Sequence, residues 1–213
     1  MKQKYQRHIQ RSMASTISHY ASNSQDFWEG TRHHDVSQNI DALCRNLPVS
    51  DSPLKILDFG CGPGRDLKFL TDLGHTAVGL DGCAEFCQMA RAYSGCEVYH
   101  QNFIDLNLPL AAFKGIFANA SLFHIHKAHL DMVLKTFHSS LTEGGVVFCS
   151  NPRGPNIEQM NGLRYGNYMD VSGWSEVFLR AQFELIEQYF RPTGLPREAQ
   201  PWLAMVWKKK EII

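Results

Sequence analysis

The chain has 213 residues, 44% of them hydrophobic, with 21 Lys plus Arg set against 21 Asp plus Glu. That length and apolar content suit one domain with a full core, and the balanced charge supplies no field to draw in a polyanion, which argues against a nucleic-acid partner. No stretch approaches the roughly 18 consecutive apolar residues of a membrane span, and no apolar signal core opens the chain.

Residues 1–25 contain no acid and carry Lys2, Lys4, Arg7 and Arg11 among several serines. Transit peptides share that composition, but Tyr20, Phe27 and Trp28 follow closely, so a solvated, partly frayed helix leading into a folded unit is expected. Between Ser15 and Leu47 the pattern predicts two helices with a break at Gly30. The second sets Val36, Ile40, Leu43 and Leu47 on one face and stops before Pro48. The expected division is a helical extension or lid over residues 1–47 and a main domain over 48–213.

From Leu54 onward strands alternate with helices, the pattern of a parallel sheet covered on both faces. Strands are predicted near 54–59, 76–80, 97–101, 113–119, 144–150, 183–190 and 201–207. Helices are predicted near 64–73, 83–93, 127–140 and 172–181. The last two strands have no helix between them and should pair antiparallel. Residues 151–173, rich in Gly and Asn, read as a long loop covering a pocket, with Arg153, Arg164, Tyr165, Tyr168 and Trp174 on it. Lys208–Lys210 read as a solvated tail.

The chemistry concentrates in Lys55-Ile56-Leu57-Asp58-Phe59-Gly60-Cys61-Gly62-Pro63-Gly64-Arg65-Asp66, a buried strand entering a glycine loop that opens a helix. Glycines let a ligand approach backbone that a Cβ would hold off. Their spacing is G-x-G-x-G, and Arg65 occupies the place of the third glycine of a dinucleotide fingerprint, which counts against NAD and FAD. The second strand ends on Asp81, 21 positions after Gly60, where a carboxylate can accept both hydroxyls of a ribose.

Asp58 to Gly64 resembles motif I of the class I, Rossmann-like S-adenosylmethionine-dependent methyltransferases, and Val78-Gly79-Leu80-Asp81 resembles their acidic motif. Weaker similarity continues at His100 to Leu106, at Gly115 to His124 and at Leu141 to Phe148. The resemblance implies an α/β fold with a seven-stranded, mostly parallel sheet in the order 3-2-1-4-5-7-6, strand 7 antiparallel. It implies S-adenosylmethionine as cofactor, with Asp58, Gly60, Cys61, Gly62 and Gly64 around the methionine moiety, Asp81 and Gly82 at the ribose, and Asn102 and Phe103 at the adenine. The family often has Asp where Asn102 stands. An amide oxygen still accepts a hydrogen bond there.

Asn119 is expected at the end of the fourth strand, beside both cofactor and transferring methyl, and His124 five residues on is the candidate orienting or proton-accepting group. Asn119-Ala120-Ser121-Leu122 lacks the Pro-Pro-aromatic continuation of base-directed enzymes, a second argument against nucleic acid. His124, His126 and His129 form H-x-H-x-x-H, but no acidic or cysteine ligand accompanies them and no metal is expected. The six cysteines, at 44, 61, 83, 87, 96 and 149, form no C-x-x-C pair and fit reduced thiols in a cytoplasmic protein.

The expected activity is methyl transfer to an N or S nucleophile of a small, possibly amino-acid-like molecule by a monomer or homodimer. Trp28, Arg32, His33, His124, Arg153, Tyr165 and Tyr168 are the expected acceptor contacts, with Phe27 and His34 also on the lid and Arg164 as another cation for a carboxylate. A protein or RNA methyltransferase, and a non-catalytic binding module, stand as alternatives.

Overall fold

The computed structural model describes residues 2–211, with the side chains of residues 2–6 and 8 left aside. Three helices come first: α1 (Lys2–Ser22), α2 (Ser24–Thr31) and α3 (Ser37–Cys44). Then follow β1 (Lys55–Phe59), α4 (Arg65–Asp72), β2 (Thr76–Asp81), α5 (Ala84–Ser94), β3 (Val98–His100), β4 (Phe113–Asn119), α6 (Lys127–Ser140) and β5 (Leu141–Pro152). The chain closes with β6 (Ile157–Asn161), β7 (Arg164–Tyr168), α7 (Val171–Arg180), β8 (Phe183–Arg191) and β9 (Trp202–Lys209).

Seven strands form one sheet in the order β3-β2-β1-β4-β5-β9-β8. The first five run parallel, and β9 is antiparallel to both β5 and β8. The expected sheet order and reversed strand are therefore present. Alternation along each strand divides the core between the two faces. Leu57, Phe59 and Ile116 pack with Leu134 and Phe137 of α6 and Trp174 and Phe178 of α7. Ile56, Phe117 and Phe148 pack with Ile40 and Leu43 of α3 and Leu67 and Leu70 of α4. Strand order reverses between β1 and β4, which opens a crevice above their carboxyl ends.

Several expectations about elements are corrected. Gly30 does not break a helix: it lies inside α2, and the space beside it is open. The breaks fall at Asn23 and over residues 32–36, so three helices replace two. The helix α1 is docked rather than loosely solvated. Ile9, Ser12, Met13 and Thr16 are buried, while Arg7 and Arg11 face solvent; the side chains of Lys2 and Lys4 lie outside the described residues.

Residues 151–173 are not a plain loop. β5 runs on to Pro152, and β6 and β7 form a separate two-stranded hairpin. Its polar sequence lacks apolar alternation, because α1 supplies much of its support from outside. Tyr165 N donates to Thr16 Oγ1 at 2.9 Å, and Ser15 Oγ donates to the Leu163 carbonyl at 2.8 Å. Nor are the late lysines all tail: Lys208 and Lys209 belong to β9, and Lys209 Nζ donates to the Leu141 carbonyl. Among the described residues no helix is long and apolar enough to cross a membrane.

Candidate functional site

A cavity of about 660 Å³ sits in the crevice above β1, β2 and β4. That is within the range of pockets that enclose small ligands, roughly 300–1,000 Å³. One wall is the glycine loop, Asp81, Gly82, Asn102 and Phe103; the other is α1 and α2, through Met13, Thr16, Ile17, Tyr20, Phe27 and Trp28.

Backbone bonds set the loop. Gly60 N and Cys61 N both donate to the Leu80 carbonyl, strapping the turn to β2. Gly60 has φ +76°, and a Cβ there would overlap Ser121, whose hydroxyl donates to the Phe59 carbonyl at 2.7 Å. Gly62 faces the cavity, with a Cβ position 3.7 Å from the Phe27 ring. Gly64 lies outside the cavity lining. Its missing Cβ lets α4 approach α5, since that atom would stand 2.8 Å from Ala90 Cα.

At the end of β2, Asp81 accepts from Gly62 N (3.0 Å) and from Cys83 N (2.9 Å). Burial pushes its pKa up to about 6, while the amides of Cys83, Gly62 and Gly82 oppose the rise. Each carboxylate oxygen accepts one of these two bonds and has capacity for more. Asn102 Oδ1 accepts from Ile104 N, and Phe103 packs on Phe59 with centroids 4.3 Å apart. Asp58 lies beneath the loop, outside the cavity lining and fully enclosed. Its Oδ2 has no hydrogen-bond partner in the described residues, and burial, then the charge of Asp66, holds its pKa well above the usual range.

Asn119 lines the cavity, but its carboxamide is engaged at both ends. Its Nδ2 donates to Asp66 Oδ2 and its Oδ1 accepts from Asn39 Nδ2, each at 3.0 Å. Asp66 is further held by Arg65, at 2.6 and 3.0 Å. Asn39, fully buried, accepts from the Tyr189 hydroxyl. The group is a connector of α3, α4, β4 and β8.

The three histidines diverge. His124, the last residue of the short 3₁₀ turn after β4, has Nε2 2.9 Å from the Tyr20 hydroxyl and Nδ1 2.7 Å from the Tyr165 carbonyl. Removal from water pushes its pKa down to about 4. His126 stacks on the Tyr165 ring and meets Ser12 Oγ at 2.7 Å, and His129 lies on α6. Among the described residues no group of three or more His, Cys, Asp or Glu converges as a metal site.

Of the acceptor contacts expected from sequence, the cavity brings together Trp28 and His124, and also Phe27, His34 and Arg164. It does not include Arg32, which pairs with Glu29 at 2.9 Å, or the exposed His33. Arg153 donates to the Arg197 carbonyl and lies over Phe190. Tyr165 turns its ring to His126 and its hydroxyl to Glu158, so its carbonyl, not its side chain, serves the site. Tyr168 lies behind Phe123, with ring centroids 6.1 Å apart, outside the lining.

Sequence reasoning missed Tyr20 and Phe86 as site residues, and Arg191 at the rim. A signal existed for the first: Met13, Thr16, Ile17 and Tyr20 fall at i, i+3, i+4 and i+7, one face of a helix.

A family model described as a methyltransferase domain matches residues 28–195. No curated protein matches the chain. Among solved structures, Burkholderia thailandensis 1,6-didemethyltoxoflavin-N1-methyltransferase, with 1,6-didemethyltoxoflavin and S-adenosylhomocysteine bound, superposes with a TM-score of 0.77 at 20% identity, over 93% of this chain and 88% of that one. A Leishmania major S-adenosylmethionine-dependent methyltransferase gives 0.76 at 17% identity, over 94% and 82%. One from Mesorhizobium loti gives 0.66 at 19%, over 79% and 96%. At these identities the likenesses establish the fold.

Proposed function

The chain belongs to the methyltransferase family, and from that premise we propose that it is an enzyme moving the methyl group of S-adenosylmethionine to an N or S nucleophile of a small, amino-acid-like molecule. The observation that carries the reading is that one cavity joins the glycine loop and Asp81 to a wall of aromatic side chains from α1 and α2. Cofactor end and acceptor end share a single space.

The residues fit that cofactor. Asp81 has acceptor capacity for ribose hydroxyls, Gly62 presents bare backbone to the cavity, and Phe103 offers an apolar face beside Asn102. When bound, the cofactor supplies a methyl group already activated on a sulfonium. The protein therefore has to hold the nucleophile in line with the methyl and keep water away. Tyr20, Phe27, Phe86 and Phe123 supply apolar surface for that exclusion. His124 is neutral at pH 7 and orients Tyr20, and Asn119 acts by fixing the end of β4.

In this reading residues 1–47 are the lid and 48–213 the methyltransferase domain. The six free cysteines suit a reducing cytoplasm, as monomer or homodimer. The test is incubation of the protein with methyl-labelled S-adenosylmethionine and a cell extract. Label should enter a low-mass fraction. Label confined to macromolecules would replace this reading with a protein or RNA methyltransferase.

A further inference from the structure

The acceptor end of the cavity contains a hydrogen-bond chain whose direction is fixed by chemistry. The Tyr165 carbonyl can only accept, so Nδ1 of His124, 2.7 Å away, carries the ring hydrogen. Nε2 then holds the lone pair, and the Tyr20 hydroxyl, 2.9 Å away, donates to it. That commits the one hydrogen of the hydroxyl. Tyr20 Oη presents only lone pairs to anything else, so it can receive an N–H or O–H but can offer nothing to a thiolate or a carbonyl oxygen.

Arg164, half-buried on β7, lines the same cavity, and its charge acts on the Tyr20 hydroxyl. Among the described residues no carboxylate pairs with Arg164, whereas Arg65 on the opposite wall is neutralised by Asp66. A planar guanidinium in a partly dry cavity is suited to an anionic oxygen of the ligand. The surrounding surface is aromatic. Phe27 and Phe86 lie 5.5 and 5.6 Å from the Tyr20 ring, and Phe123 lies 3.9 Å from the His124 ring.

We propose, resting on the methyltransferase reading above, that the acceptor is a planar aromatic or heteroaromatic compound whose nucleophilic nitrogen carries an N–H held by Tyr20 and stands next to an anionic oxygen group held by Arg164. Tyr20 and Arg164 interact within one cavity, so the two ligand groups they hold sit close together, as in an ortho-amino aromatic acid. Tyr20 touches the substrate; His124 is a positioning residue that acts through it. The nitrogen lone pair attacks the methyl carbon, the N–C bond forms as the C–S bond breaks with its pair staying on sulfur, and the proton left on nitrogen passes to bulk water as the product leaves the cavity. Burial keeps Tyr20 protonated and His124 deprotonated near neutral pH, so the pair holds its direction without exchanging charge.

The test is calorimetric titration of the full-length protein, saturated with S-adenosylhomocysteine, with 2-aminobenzoate, 4-aminobenzoate and 2-mercaptobenzoate. The ortho-amino probe should bind at least tenfold more tightly than the other two. Tyr20→Phe, which keeps the ring packing, should erase its advantage over the mercapto probe. Arg164→Gln should weaken it tenfold or more, while both variants keep S-adenosylhomocysteine affinity within twofold and stay folded at the assay temperature, the Tyr20→Phe protein melting somewhat lower for the buried hydrogen bond it loses. Equal affinity for the three probes, or a preference that survives Tyr20→Phe, overturns the acceptor assignment while leaving the methyltransferase reading in place. Failure of the wild-type protein to bind S-adenosylhomocysteine brings down both.

Discussion

The Tyr20 hydroxyl and His124 Nε2 lie 2.9 Å apart although 104 residues separate them in the chain. The helix α1 is thereby tied to the turn that follows the fourth strand, in the wall of the cavity. Breaking the tie in two ways distinguishes orientation from packing. His124→Gln and Tyr20→Phe should each lower methyl incorporation into the low-mass fraction by roughly tenfold to a hundredfold, the scale of one or two buried hydrogen bonds. S-adenosylhomocysteine affinity should be unchanged. Wild-type turnover in both variants would remove the pair from the mechanism.

The low pKa of His124 has a consequence for stability. Its folded value is about 4 against an ordinary 6.5, so the neutral ring is favoured in the native state. The unfolded chain takes up a proton first as pH falls, and stability is fully present above about 6.5 and declines toward 4. Melting temperature should drop over that window in the wild type, and the drop should be smaller in His124→Gln. Equal slopes would contradict the assigned neutral tautomer.

Asp81 titrates in the opposite sense. Burial raises its pKa to about 6, so it is protonated in the free protein at pH 5 and ionised at pH 7.5. Ribose hydroxyls donate best to the carboxylate. Affinity for S-adenosylhomocysteine should therefore be constant above about pH 6.5 and weaken below 6, with proton release on binding at pH 5.5. Asp81→Asn should bind more weakly at pH 7.5 by about 1–3 kcal/mol and lose the pH dependence.

The glycine loop offers a cleaner test at Gly62 than at Gly60. A side chain at Gly60 would run into Ser121 and damage the fold, whereas one at Gly62 projects toward the cavity near Phe27. Gly62→Val should abolish cofactor binding while costing about 1–2 kcal/mol for its positive φ. Gly60→Val should lower the melting temperature considerably more. Intact S-adenosylhomocysteine affinity in Gly62→Val would sink the loop's assigned role.

Asn119 should behave as structure. Asn119→Ala leaves the buried Asn39 amide without its acceptor and Asp66 with one donor fewer. Denaturant unfolding should show a loss of about 1–3 kcal/mol. Unchanged stability with lost turnover would restore a direct part in the reaction.

The sheet order was implied only by resemblance to a family, whereas the sequence by itself determined the strand and helix alternation, the antiparallel pairing of the last two strands, and the loop from Phe59 to Gly64 with Asp81 beyond it. Those features are local: buried apolar runs, glycines that avoid a Cβ, and an acid at a strand end are written over a few consecutive residues. Only the tertiary structure decided what faces the cavity. The β6–β7 hairpin carries no apolar alternation because α1 braces it, through a bond between Tyr165 and Thr16 that spans 149 residues. Arg164 enters the cavity while Arg32 and Arg153 turn to Glu29 and to the Arg197 carbonyl, and the three residues look alike in the chain. Which of them meets a ligand depends on side-chain partners supplied by distant elements, and so does the direction of the proton between Tyr20 and His124, set by a backbone carbonyl on a hairpin 41 residues further along.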